Sequence, residues 1–388
     1  MTPLLKRENL KRERADNALK TVKTGHYLPV RAAGAAGAAG AAGSGRAGFR
    51  ANKTAFLSAA VVVLFAVYVL LGSYTVTIPD FFTILTAHLT GGERIPGASF
   101  IVMENKLPRA VIGTMIGVAF GLSGGLFQTM LRNPLASPDV IGISYGASAA
   151  AVVAIVVFGA SGATVSAAAL GGALGIAVLI YAISRGGLGS GAGRGNAAGN
   201  RLILAGVGIA AALNAAVNFL MTRADIRTAA EALIWLNGSL NSATWERAGI
   251  LAAALALLIP AVAALAGPLR ILELGDDAAA GLGIRVNAVR FGLVATAVAL
   301  AAVATAAAGP VAFVAFLSGP IARRFTGKPS LPASALTGAV IVLAADYFAY
   351  NLAPLLLDGT VLPVGVVTGA LGAPFLLWLL VTSNRKES

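Results

Sequence analysis

Cysteine is absent from the 388 residues. That excludes disulfides, zinc–thiolate sites, iron–sulfur clusters and a cysteine nucleophile. Histidine occurs only as His26 and His88, so no histidine-based metal site can form inside an apolar segment. Asp, Glu, Lys and Arg together make up 12% of the chain, where a soluble domain carries about 25%. A G-x-x-x-x-G-K-[ST] phosphate loop is missing as well. Its nearest fragment, Gly327-Lys328-Pro329, lacks the upstream glycine and the hydroxyl, so ATP is not bound by that route. What remains is apolar: 57% of the residues fall in the AVILMFWYC set and the mean hydropathy is +0.82. A disordered chain, a fibre and an ordinary cytosolic enzyme are excluded. The expected fold class is an all-α polytopic membrane protein of about ten transmembrane helices.

The net charge of +13 does not point to nucleic acid, because the charges are not spread as a binder would place them. Residues 1–53 hold 11 of the 29 Lys and Arg but only 3 of the 16 Asp and Glu. A basic tail ahead of the first apolar run reads as a disordered cytoplasmic anchor facing anionic lipid. It is too long for a signal-peptide n-region and no A-x-A-like site follows. Within it, residues 32–43 repeat one Ala-Ala-Gly triplet four times and read as a flexible linker. The membrane domain is expected over 54–384.

Ten candidate spans follow, at about 54–72, 108–131, 142–158, 162–183, 201–221, 248–267, 288–308, 310–322, 331–352 and 363–382. The eighth is too short for a full crossing unless neighbours shield it. With the N-terminus inside, 23 of the Lys and Arg fall on the inner side and 6 on the outer, as the positive-inside rule requires. Both termini are therefore expected to be cytoplasmic. The second span carries Gly113, Gly117, Gly121 and Gly125 at intervals of four. That spacing makes one smooth helix face for close backbone approach and places this span at the centre of the bundle.

Two segments, Gly142-Ile143-Ser144-Tyr145-Gly146 and Gly121-Leu122-Ser123-Gly124-Gly125, match G-x-S-x-G. Neither histidine is placed to serve as a base, so hydrolase chemistry is not expected. Asp346 lies within the ninth span, and one acid does not make a proton relay. No catalytic residue, metal site or cofactor is called for. The connection from Ile271 to Arg285 stands out as polar, helix-compatible from Asp276 and closed by Gly281-Leu282-Gly283. Asp276 and Asp277 suit a helix's first turn. Such a segment either docks a soluble partner or is a plain surface loop.

Several stretches together resemble the FecCD permease family of ABC importers. They are Lys106-Leu107-Pro108-Arg109; residues 128–141, QTMLRNPLASPDVI; residues 201–207; Leu274-Gly275 to Leu282-Gly283; Gly309 to Val314 with Ala322-Arg323-Arg324; and Leu362 to Phe375. The likeness covers roughly residues 55–382, and residues 237–245, NGSLNSATW, look closest to enterobactin-type permeases. The resemblance implies a transport subunit that is not itself an enzyme. Its implied partners are cytoplasmic ATPase subunits, a second permease subunit (a paralogue or a second copy), an extracytoplasmic siderophore-binding protein and membrane lipid, with no nucleic acid. The implied location is the bacterial cytoplasmic membrane.

By the same resemblance, Glu273, Leu274, Gly275, Asp276, Asp277, Gly281, Leu282 and Gly283 form the ATPase-coupling segment. Lys106 and Arg109 are expected to dock the external protein. Gly113, Gly117, Gly121, Gly125, Gln128, Asn133 and Pro134 serve packing or border the pathway. The chain departs from the family at Ser318-Gly319-Pro320-Ile321-Ala322-Arg323, where P-[HQ]-x-x-R is usual, and at Tyr350 and Val361, which stand where Arg and Glu are common. Vitamin B12 or haem import within the family, an ion-coupled secondary transporter and a membrane scaffold are the alternatives.

Overall fold

Long apolar runs favour helix in lipid because every backbone group can then be bonded within its own segment. The breaks between them carry the capping residues. In the computed structural model the described residues are 36–72, 74–92, 95, 97–139, 142–185 and 196–384, and no strand occurs among them. The chain divides into two units, Met1–Arg50 and Ala51–Ser388.

The helices are α1 (Ala36–Leu70), α2 (Ile78–Thr90), α3 (Leu107–Met130), α4 (Ile143–Val156), α5 (Ala163–Arg185), α6 (Asn196–Arg223) and α7 (Ile226–Leu236). They continue with α8 (Trp245–Leu272), α9 (Asp276–Gly281), α10 (Val286–Ala308), α11 (Val314–Thr326), α12 (Leu331–Tyr347), α13 (Ala353–Leu356) and α14 (Val364–Asn384). A π-helical turn, Ile101–Lys106, leads into α3, and another, Phe348–Leu352, follows α12. Thr77, Asp225, Thr244 and Ser330 cap α2, α7, α8 and α12, each side-chain oxygen accepting a hydrogen bond from a backbone N–H of the first turn.

Each of the ten expected spans coincides with one of these helices. Among the described residues six helices are long and apolar enough to cross a membrane, and two more, Ile143–Val156 and Val364–Leu379, are apolar but shorter. The short eighth span begins as an irregular segment and turns helical at Val314. Its helical residues Val314–Ser318 are buried, as is Val311 in the non-helical start.

Four of these helices lie where the sequence reading had connections: α2, α7, α9 and α13. All are too short to register as spans. The part of the triplet repeat within the described residues, 36–43, lies in helix α1. The basic stretch before it lies outside the described residues.

Helix α3 occupies the centre. Helices α12, α10, α11 and α8 all pack on it, and 17 of its 24 residues are buried. The largest enclosed side chains include Phe120, Phe127, Ile112 and Ile116, all from this helix.

Candidate functional site

At the N-terminal end of α3 the sequence places two cations in the motif Lys106-Leu107-Pro108-Arg109. Each is only 3% exposed. The Lys106 ammonium donates to the carbonyls of Val69 (3.2 Å), Leu71 (2.9 Å) and Tyr74 (2.5 Å). It thereby satisfies one carbonyl in the last turn of α1, where helical partners are lacking, and two in the chain that follows. Arg109 is forked onto Asp346 of α12, Nε to Oδ2 at 2.7 Å and Nη2 to Oδ1 at 2.8 Å. Its remaining arm, Nη1, donates to Asn241 Oδ1 at 2.8 Å. Tyr68 donates its hydroxyl to Asp346 Oδ2 at 2.5 Å. The ring of Tyr350 lies 4.1 Å from the guanidinium carbon.

Lys106 and Arg109, expected to present docking charges, are both buried within their own chain, where three of the five guanidinium N–H donors of Arg109 have partners. The sequence revealed where along the span the cations sit but not the acceptors, which lie up to 237 residues away. The same cluster explains Tyr350. An arginine there would press a second cation onto Arg109, whereas tyrosine offers a ring face. The segment 237–245 belongs to this region too: Asn241 accepts from Arg109 and Trp245 Nε1 donates to the Met103 carbonyl at 2.7 Å.

Along α3 the glycine face meets α12. A Cβ on Gly117 would lie 2.6 Å from the carbonyl oxygen of Gly338, and one on Gly121 would collide with the Ser334 carbonyl. Gly113 and Gly125 are less tight, with Leu240 at 3.1 Å and Leu331 and Ser334 at 3.2 Å. Gly124, which the four-residue spacing does not include, lies hard against the Ala315 backbone of α11.

At the C-terminal end of α3, Gln128 Nε2 donates to the Phe316 carbonyl at 3.0 Å. That carbonyl is the one Pro320 leaves open, because proline has no N–H to return to the residue four before it. Gly319 completes the socket, since a Cβ there would occupy the place of Gln128 Oε1. The unusual Ser318-Gly319-Pro320 order therefore has a structural counterpart in the central helix. A proline inside an apolar helix implies an open carbonyl, and that signal was present in the sequence.

Beyond α3, Asn133 Oδ1 accepts from the Leu135 N–H at 2.9 Å, which folds the loop, and Pro134 is exposed. Ser144, in one of the G-x-S-x-G matches, donates to Asp139. Burial raises the carboxyl pKa of Asp139 above its ordinary value, and the Ser144 bond opposes the rise. Val140 and Ile141 lie outside the described residues. Arg132, which the sequence offered only as an inward-facing charge, donates through Nη2 to the Leu272 carbonyl at 2.6 Å.

Leu272 ends α8 and opens the segment 273–283. Gly275 takes φ +114°, and α9 follows with Asp276 and Asp277 in its first turn. Arg290 Nη2 donates to both Asp276 oxygens, at 2.9 and 3.2 Å. The helix closes in a Schellman arrangement: Ile284 N bonds to Ala279 O and Gly283 N to Ala280 O, both at 3.0 Å, with Gly283 at φ +82°. Gly281 has open space where a side chain would go. Ala279 is buried while Leu274 and Leu282 are 68% and 63% exposed. Glu273 and Asp277 are exposed as well. The result is a short helix closed at its C-terminus, with two large apolar side chains on its outside.

The FecCD transport family model matches residues 60–382. The chain belongs to the FecCD transport family. It is 37% identical over 299 residues to the ferric enterobactin transport system permease protein FepG of Escherichia coli (strain K12), covering 76% of this chain and 87% of that one. It is 36% identical to the Fe(3+)-citrate import system permease protein YfmE of Bacillus subtilis (strain 168), over 74% of this chain and 84% of that one. It is 39% identical to the achromobactin transport system permease protein CbrC of Dickeya dadantii (strain 3937), over 74% and 81%. In fold it is similar to a metal-chelate type ABC transporter solved in an inward-facing conformation, with a TM-score of 0.72 at 23% identity, covering 85% of this chain and 98% of that one. This FecCD chain is thus a membrane transport protein. Among its described residues, no three His, Asp or Glu side chains cluster as a metal site.

Proposed function

We propose that this chain is the permease subunit of an ATP-driven importer that carries a ferric siderophore across the bacterial cytoplasmic membrane. The observation that carries the proposal is the family match over 60–382 together with relatives named for ferric enterobactin, ferric citrate and achromobactin. The lack of a phosphate loop in the sequence supports ATP hydrolysis by separate cytoplasmic subunits. Segment 273–283 is the surface they engage: Leu274 and Leu282 supply apolar contact, and the capped turn at Gly283 keeps α9 rigid enough to transmit force. A second permease subunit, a paralogue or a second copy, completes the pathway, and an external binding protein delivers the cargo.

The subunit performs no covalent chemistry. It switches between two pathway states, and ATP shifts their balance only through contacts that differ between them. Helix α3 and residues 133–138 border the pathway. Lys106 and Arg109 shape the outer rim from within instead of meeting the delivery protein directly. Both termini and the basic tail face the cytoplasm.

The test is iron uptake by a strain lacking the gene, supplied with ferric enterobactin, ferric citrate and a hydroxamate chelate in turn. Loss of uptake for one chelate, restored by the cloned gene, is the expected result. Normal uptake of every ferric chelate, with loss of vitamin B12 or haem uptake instead, contradicts the assignment.

A further inference from the structure

Arg132 has an unusual backbone. Its φ is +50°, and the other non-glycine residues with positive φ among those described are Phe313 and Asp358. Arginine adopts this left-handed conformation only at a cost in strain. A cation that merely marked the inner face of a membrane would need no such backbone. The strained position aims the side chain sideways, off the end of α3 and onto α8, where Nη2 meets the Leu272 carbonyl at 2.6 Å. That carbonyl belongs to the last residue of α8, where helix carbonyls lack partners and a cation is favoured by the dipole. It also accepts the Gly275 N–H at 3.2 Å, so one oxygen joins Arg132 to the first turn of segment 273–283.

The loop that carries Arg132 is fastened to α3 and folded on itself. Asn133 N donates to the Gln128 carbonyl at 3.1 Å and Ala136 N to the Asn133 carbonyl at 3.1 Å, and Asn133 Oδ1 holds Leu135 N. The loop therefore moves with the central helix. Arg132 is its side-chain hydrogen bond to the end of α8.

We propose that Arg132 is a positioning residue that makes the loop 132–138 and the start of segment 273–283 move together. Displacement of α9 by the ATPase then reaches the pathway-bordering loop through this guanidinium–carbonyl bond as well as through the packing of α8 on α3. The proposal rests on the reading of 273–283 as the ATPase contact.

The test uses Arg132→Asn, which tolerates the left-handed backbone but cannot span to Leu272, and Arg132→Lys, which keeps a cation at the helix end. Amide hydrogen exchange of the full chain is measured first, without partners. Arg132→Asn should raise exchange at Glu273 to Gly275 by about tenfold, the size expected for one charge-assisted bond. In the assembled importer it should keep ATP hydrolysis while uptake per ATP falls, with Arg132→Lys intermediate.

Unchanged exchange in Arg132→Asn overturns the proposal. So does raised exchange with normal uptake per ATP, since the bond would then exist without transmitting anything. A parallel fall of hydrolysis and uptake, from loss of folded protein, also counts against it. Leu274→Asp with Leu282→Asp judges the underlying reading separately. If that variant still binds the ATPase, the contact surface is misassigned, whereas the exchange result continues to judge the Arg132 bond.

Discussion

Arg109 and Asp346 form a two-pronged ion pair between α3 and α12, at 2.7 and 2.8 Å, with side-chain exposures of 4% and 0%. Asp346 accepts a further bond from Tyr68, so α1, α3 and α12 converge on a single carboxylate. Breaking such a pair from one side leaves an uncompensated charge. Asp346→Asn should cost about 3–5 kcal/mol, the usual loss for a buried pair, read as a lower midpoint for thermal loss of monodisperse protein in detergent. The double variant Arg109→Gln with Asp346→Asn should lose much less than the two single changes added together. Additive losses would show that the residues do not act as a pair. By the same reasoning Lys106→Glu with Arg109→Glu should lower the yield of folded protein, at high salt as at low.

Gln128 and Pro320 make a second such relationship. Gln128→Ala strands the Phe316 carbonyl and should cost about 1–3 kcal/mol. Adding Pro320→Ala restores a backbone N–H able to bond that carbonyl within α11, so the double variant should recover most of the loss. The same thermal assay reads it. A double variant no better than Gln128→Ala alone would mean that the glutamine does not serve the proline's open carbonyl.

The helices were legible because lipid leaves apolar runs few alternatives. All ten expected spans coincide with helices, and the four-residue glycine spacing correctly placed α3 at the centre. Segment 273–283 was legible in outline, since Asp276-Asp277 and Gly283 mark a helix start and stop. Pairings were not. Nothing local in Lys106-Leu107-Pro108-Arg109 indicates that its cations turn inward, because the acceptors come from α1, α12 and the loop before α8. Gly124 escaped notice because its neighbour is α11 while its spacing mates face α12. Arg132 looked like an ordinary inside charge, since its distinguishing feature is a backbone angle.

The turn at Gly283 gives a sharper prediction. Gly281 and Gly283 both have open space where a side chain would go, but only Gly283 has a positive φ. Gly283→Val should therefore introduce about 1–3 kcal/mol of backbone strain and reduce co-purification of the ATPase subunits. Gly281→Val should keep it. Equal behaviour of the two variants would remove the left-handed turn from the account.

The glycine face can be tested by one methyl group. Gly121→Ala drives a Cβ into the Ser334 carbonyl, whereas Gly171→Ala on α5 meets nothing within 4 Å. The first should lose about 1–3 kcal/mol of stability, as overpacked cores do. The second should be neutral in the same thermal assay. Tolerance of both would contradict the close crossing of α3 and α12.

Under the proposed function, this subunit moves its cargo on ATP hydrolysed elsewhere. The most direct measurement is uptake of radiolabelled ferric siderophore into proteoliposomes holding the permease, its ATPase and its binding protein, with ATP and ion gradients varied independently. Uptake that requires ATP and the ATPase subunits, and that ignores a proton or sodium gradient, is predicted. Uptake by the permease alone, driven by an ion gradient without ATP, would contradict it.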